Sequence, residues 1–287
     1  MAAQQLRTDS ADNPVRGGVV GLRARISRRL MGEKSSPSPM RPGYIMEALL
    51  SRALAEHAQE VSGILLDVGC GGRPYRGYYE RRTEAHWGLD VDGAQKPDLV
   101  ADTQALPIAA ATAGTILATE VLEHVEDPAL MLREVHRVLA PAGRAMVTVP
   151  FLYRVHDAGA DWHRYTVFGL HALFQEFFDQ VAIYQLGDFW TSWLLMWATY
   201  AHWDLIPRSR LFAPLRAANN LACAVLARCS PSAWAARQLD VRALADPEGF
   251  WPNHRAKFPT AYLVIARKAD PSDANVTLDA QEQPDEE

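Results

Sequence analysis

The chain has 287 residues, 48% hydrophobic and 22% charged, which supports one large core or two smaller ones and excludes global disorder. Its net charge of −5 gives no overall pull toward nucleic acid. Three cysteines, Cys70, Cys223 and Cys229, are too few and too scattered for a disulfide framework or a zinc site, and they fit a reducing, cytoplasmic setting.

Residues 1–40 read as a flexible basic arm and linker. No early apolar run follows a basic start, so no secretory leader is expected. Within the arm, Arg16, Arg23, Arg25, Arg28, Arg29 and Lys34 alternate with Val19, Val20, Leu22, Ile26 and Leu30. That pattern suits either a solvated arm or a basic amphipathic helix touching an anionic membrane. The main domain is expected over 41–268, and the acidic stretch 269–287 reads as a disordered tail.

Apolar spacing predicts a helix over 43–58. Strands are predicted at 63–68, 86–91, 98–101, 114–119 and 144–149. A helix over 128–139 has Asp127 as its cap, Pro128 in its first turn and Pro141 and Gly143 beyond its end. A further helix at 167–178 and strands at 180–186 and 260–267 complete the pattern. Short apolar strands alternating with helices indicate a mainly parallel α/β sheet covered on both faces.

The loop after the first strand reads Asp67-Val68-Gly69-Cys70-Gly71-Gly72. A phosphate-cradling P-loop needs G-x-x-x-x-G-K-S/T, and that lysine is missing. A dinucleotide fingerprint needs a third glycine where this chain has Pro74. What remains is a D-x-G-x-G loop, which permits close backbone approach without a phosphate cradle and suits a nucleoside carrying an amino-acid tail.

"LLDVGCGG", "GLDVD", "LVADTQALP" and "EVLEHVEDP" follow one another in an order and spacing that resemble the class I S-adenosylmethionine-dependent methyltransferases, in the group with an E-x-L-E-H-V segment. The resemblance covers about 61–187, with 260–267 as the last strand. It implies a Rossmann-like, mostly parallel sheet of seven strands, the last antiparallel, and S-adenosyl-L-methionine as cofactor. By the same resemblance, the Gly69 and Gly71 backbone lies against the methionine part of the cofactor and Asp67 orients its ammonium. Asp90 accepts the ribose hydroxyls, Asp102 with Thr103 meets the adenine, and Glu120 lies near the sulfonium.

Methylation of adenine or glutamine nitrogen is disfavoured, because Thr119-Glu120-Val121-Leu122 stands where those enzymes carry D/N/S-P-P-Y/F. The run Asp161-Trp162-His163-Arg164-Tyr165-Thr166 resembles a segment of bacterial relatives found near polysaccharide and glycolipid genes. It implies a small-molecule, sugar or lipid-linked acceptor, with O-methylation the leading reaction and quinone-type methylation or non-catalytic cofactor binding the alternatives. His156, Asp157 and His163 are candidate bases, since an imidazole titrates near neutrality; His163 is favoured for its place inside the run. Glu120, Glu123 and His124 match by type a segment that holds a divalent metal in relatives acting on ubiquinone precursors, but it also occurs in relatives without metal, and no metal enters the main reading.

Residues 189–258 read as a helical insertion between the sixth and last strands. Its stretch 189–203 has four tryptophans, yet is shorter than the roughly twenty residues of a membrane span. A lid over an apolar acceptor pocket, added core, a homodimer interface and a peripheral membrane contact are the roles it suits.

Overall fold

A computed structural model describes residues 37–156, 159–246 and 257–270. Helix α1 (Tyr44–Glu56) leads into β1 (Ile64–Val68), a single-turn α2 (Arg76–Tyr79), β2 (Ala85–Asp90) and a two-residue β3 (Leu99–Val100). Next come β4 (Ala113–Thr119), α3 (Pro128–Val138), β5 (Leu139–Pro150), α4 (Val167–Gln175) and β6 (Gln180–Leu186). The insertion holds α5 (Phe189–Tyr200), α6 (Ala213–Ala227), β7 (Arg237–Leu239) and α7 (Val241–Ala245), and β8 (Ala261–Arg267) closes the sheet.

The strands lie in the order β3-β2-β1-β4-β5-β8-β6-β7. β1 to β5 pair in parallel, whereas β8 runs antiparallel between β5 and β6. Side chains alternate between the two faces of a strand, and the core divides accordingly. Leu66, Val68, Ile116 and Val147 pack on the α3 side with Met131 and Val135. Leu65, Leu117 and Met146 pack on the other side, beneath α1 and α5, with Leu49 and Leu195.

Helix α3 forms where the apolar spacing places it: Asp127 accepts from the Leu130 amide at 3.1 Å and Pro128 opens the first turn. It stops one residue short of the expected end, because Leu139 is already extended and pairs with Ala113. β5 therefore starts five residues before the expected 144. The sheet also has eight strands, not seven. The additional β7 is an edge strand of only three residues, Arg-Gln-Leu, whose sequence carries no alternation to announce it. The described part of the insertion, 189–246 and 257–258, holds the helices α5, α6 and α7. It leaves β6 through Gly187, at φ 77°, where a Cβ would stand 2.1 Å from Thr260 Oγ1.

The strand order reverses between β1 and β4, so their outgoing loops diverge and leave a crevice at the carboxyl ends of the strands. Gly69, Asp90, Asp102 and Glu120 all stand at or just past those ends.

Candidate active site

The loop after β1 turns at Gly69, with φ 68°, where a Cβ would lie 2.4 Å from Val121 Cγ2. Any side chain there would strain the backbone and collide with the segment leaving β4. Gly71 has open space on its Cβ side, so its backbone is bare toward the crevice. Its N–H donates to Asp90 Oδ2 at 2.8 Å, and the Asp92 N–H donates to Asp90 Oδ1 at 2.8 Å. Asp90 thus ties the glycine loop to the end of β2. Burial pushes its pKa up against the pull of these backbone donors.

Asp67 is 1% exposed, and its Oδ2 lies 3.6 Å from Nε2 of His86, whose side chain is buried and which the sequence motifs do not single out. Cys70 is buried; burial first, then the charges of Asp67 and Asp90, push its thiol up to about 12. It packs as a small apolar group. Arg73 crosses above Gly88 to reach Asp98 Oδ2 at 2.7 Å, a further clamp between the loop and β2. Asp102 is exposed and closes a turn on the Gln104 N–H at 2.9 Å, with Thr103 half-buried beside it.

At the end of β4, Glu120 takes a left-handed backbone, φ 54°, which is uncommon for a residue with a side chain. Its N–H donates to Thr148 O at 3.1 Å, and Thr148 Oγ1 donates to Glu120 Oε1 at 3.2 Å. Burial drives the pKa of Glu120 up; burial first and then the Glu120 charge drive that of Glu123 up as well. Glu123 is 0% exposed, and neither carboxylate oxygen has a hydrogen-bond partner among the described residues.

The loop after β5 is stapled onto this segment. The amides of Trp162 and His163 donate to Glu123 O at 2.8 and 3.2 Å. His124 Nδ1 meets Ala160 O at 2.7 Å, and because a carbonyl oxygen only accepts, Nδ1 is the donor. The His124 Nε2 lies 3.1 Å from Nε2 of His156 and 3.6 Å from Glu123 Oε1. His156 Nδ1 lies 3.1 Å from Asp161 Oδ2, and Asp161 is in turn held by Arg164. Burial alone would raise Asp161; hydrogen bonds from Arg164 and the neighbouring His156 outweigh it and hold the carboxyl below its ordinary value.

The structure therefore gathers Glu120, Glu123, His124, His156, Asp161 and Arg164 around one point. His163, the favoured base in the sequence, lies against the Tyr165 ring, centroids 5.5 Å apart. Asp157 lies outside the described residues. Glu123, His124 and His156 each offer a ligand atom within 4.8 Å of the others; the set shares Glu123 and His124 with the segment matched by type in the sequence, where no metal is expected, and includes His156 in place of Glu120.

A glycine loop at the switch point, acidic residues at successive strand ends and an antiparallel strand inserted before the last parallel one are the features that the resemblance to class I methyltransferases implies. Residues 66–147 match the family model of the methyltransferase domain, the segment running from β1 into β5. Among curated proteins, the malonyl-[acyl-carrier protein] O-methyltransferase of Alcanivorax borkumensis is 25% identical over 137 residues, covering 42% of this chain and 47% of that protein. The chain thus spans about half the length of that relative. Among solved structures, the [4+2]-cyclase SpnF superposes with a TM-score of 0.52 at 16% identity, covering 89% of this chain and 95% of that one. Phosphoethanolamine N-methyltransferase 2 of Haemonchus contortus, in complex with S-adenosyl-L-methionine, gives 0.49 at 11% identity, covering 86% and 57%.

Proposed function

We propose that this chain transfers the methyl group of S-adenosylmethionine to a hydroxyl oxygen of a small-molecule, sugar or lipid-linked acceptor, with His156 as general base. The observation that carries the reading is the Arg164–Asp161–His156 chain, anchored beside Glu120 at the carboxyl end of β4. Asp161 orients the imidazole and favours the proton on Nδ1, leaving Nε2 to receive another, the division of labour in acid–histidine pairs generally. As the O–CH3 bond forms and the methyl–sulfur bond breaks, the acceptor proton passes to His156 Nε2 and S-adenosylhomocysteine departs. Gly69, Gly71 and Asp67 hold the methionine part of the cofactor, Asp90 its ribose, Asp102 and Thr103 its adenine, and Glu120 closes the site beneath the sulfonium. The curated relative is by name an O-methyltransferase, which agrees with an oxygen acceptor.

Steady-state kinetics test this. His156→Ala should lower kcat by roughly 10²–10⁴ while S-adenosylhomocysteine binds as before, because the base acts only in the transition state. His163→Ala should stay within a few-fold of the parent. Full kcat in the His156 variant across neutral pH would remove the base from the account and leave alignment alone.

A second reading takes Glu123, His124 and His156 as ligands of a divalent cation. The buried carboxylate of Glu123, without a hydrogen-bond partner among the described residues, and two imidazole nitrogens turned toward each other favour it, with Ala160 O and Asp161 as outer partners that orient the rings. Such an ion would polarise the acceptor hydroxyl. Dialysis against a chelator separates the readings: activity persists if His156 is a base, and disappears until metal is restored if it is a ligand.

A further inference from the structure

Helices α5 and α6 pack against each other and against α1. Each buries one side, Leu194, Leu195 and Ala198 on α5, Cys223, Ala224 and Ala227 on α6. Because both rest on α1, their opposite sides face outward together. Those sides are apolar where solvent-facing helices are normally polar. Trp190 is 57% exposed, Tyr200 51% and Leu226 54%, and Trp193, Leu215 and Val225 join them. Trp190, Trp193 and Trp197 are thus exposed rather than part of a buried core, whereas Trp203 is half-buried.

The charge around this face has the opposite sign to the chain. From Phe189 to Arg228 there are four arginines, Arg208, Arg210, Arg216 and Arg228, against one acid, Asp204, on a protein whose net charge is −5. Three of the arginines belong to the link between α5 and α6 or the first turn of α6. The guanidinium of Arg208 stands 5.7 Å from the Trp203 ring centroid, and that of Arg154 stands 5.6 Å from it. The exposed indole and phenol rings of α5, with the arginines that follow it in the chain, fit the interfacial layer of an anionic bilayer, where rings sit at headgroup depth and guanidinium groups meet phosphates. No helix among the described residues is long and apolar enough to cross a membrane, so the pair would lie on the surface. A second copy of the chain would bring up the same positive excess with one aspartate to answer it; anionic phospholipid answers it directly.

We infer that the outer face of the α5–α6 pair docks on an anionic membrane surface and that the acceptor reaches the site from that side. Arg154 connects the two. It stacks on Trp203 of the insertion and lies two residues before His156 in the loop after β5, so the docking face and the proposed base share one loop. This deepens the proposed function, and its last part rests on it: the acceptor class becomes a lipid-linked hydroxyl.

Vesicle flotation with the full-length protein is the test. Vesicles of phosphatidylcholine containing phosphatidylglycerol should carry the protein up, pure phosphatidylcholine vesicles should not, and added salt should release it. Trp190→Ser with Trp193→Ser should reduce the bound fraction about tenfold, while S-adenosylhomocysteine affinity stays at the parent value and certifies folding. Arg208→Gln with Arg210→Gln, a milder pair, should weaken binding to anionic vesicles alone. Failure to float, or flotation indifferent to both pairs, overturns the inference, the latter by assigning membrane contact to another segment. A dimer in sedimentation that the Trp pair dissolves would also overturn it. Flotation needs no turnover: a protein that floats but transfers no methyl group sinks the proposed function and the acceptor class that rests on it while the docking stands, and one that methylates a soluble acceptor without floating sinks only this inference.

Discussion

Cys70 shows how a single residue is set by its surroundings. It occupies the middle of the glycine loop, where a reactive thiol would threaten a bound sulfonium. With the thiol pushed up to about 12, its thiolate fraction at pH 8 is on the order of one in ten thousand. Iodoacetamide at that pH should therefore label exposed Cys229 readily and leave Cys70 unmodified until denaturant is added, as peptide mass spectrometry would show; equal labelling of both in the native protein would contradict this. Asp90 supports a second prediction. Its two oxygens hold the Gly71 and Asp92 amides, so Asp90→Ala removes the proposed ribose partner and frees the loop together. Binding of S-adenosylhomocysteine should weaken by about 1–3 kcal/mol in calorimetry, and parent-like affinity would separate Asp90 from the cofactor. Much at this scale was legible beforehand, because Asp67, Gly69, Gly71, Asp90 and Glu120 owe their places to strand ends that the hydrophobic pattern marks. Two features were not. His86 meets Asp67 only through the β1–β2 register, and His156 rather than His163 joins His124 because of how the loop folds back on Glu123 O. Such contacts link residues distant in sequence, which no local spacing encodes.

Among the elements, α5 depends most on a single cap. Asp188 accepts from the Thr191 amide at 3.1 Å while Thr191 Oγ1 accepts from the Asp188 amide at 2.7 Å, a reciprocal capping box. The other Asp188 oxygen accepts from Ser230 Oγ at 2.6 Å, which pins the chain just past α6 to the start of α5. Asp188→Ala should lower stability by roughly 1–2 kcal/mol in thermal or urea unfolding, mostly through the helical pair; an unchanged transition would show that packing on α1 alone suffices. Elements with long apolar periods were readable to within a few residues: α1, α3 and β6 fall where the spacing put them. The misses have physical causes. β7 is three residues long and is recruited by β6, and the first part of β5 contains Pro141 and Gly143, which read as a helix stop and a turn. The insertion's tryptophans were visible as a cluster, but the direction they face depends on which side of α5 meets α1, a tertiary choice.

For the molecule as a whole, the reversal of strand order at β1 and β4 makes the site. It opens a crevice where backbone from one loop, carboxylates from three strand ends and the imidazoles of His124 and His156 converge. β6 leads directly into α5, and the proposed docking of the α5–α6 face would bring a membrane surface to the proposed site. Fold alone does not decide the reaction, as the similarity to a cyclase illustrates. The decisive measurement follows the methyl group itself. The protein is incubated with S-adenosylmethionine bearing an isotopically labelled methyl group and a total extract of cells that lack it, and products are resolved by mass spectrometry. The account predicts S-adenosylhomocysteine and a labelled product in equal amounts, both sharply reduced with the His156→Ala variant. No S-adenosylhomocysteine above the protein-free control would contradict methyl transfer as the function of this fold.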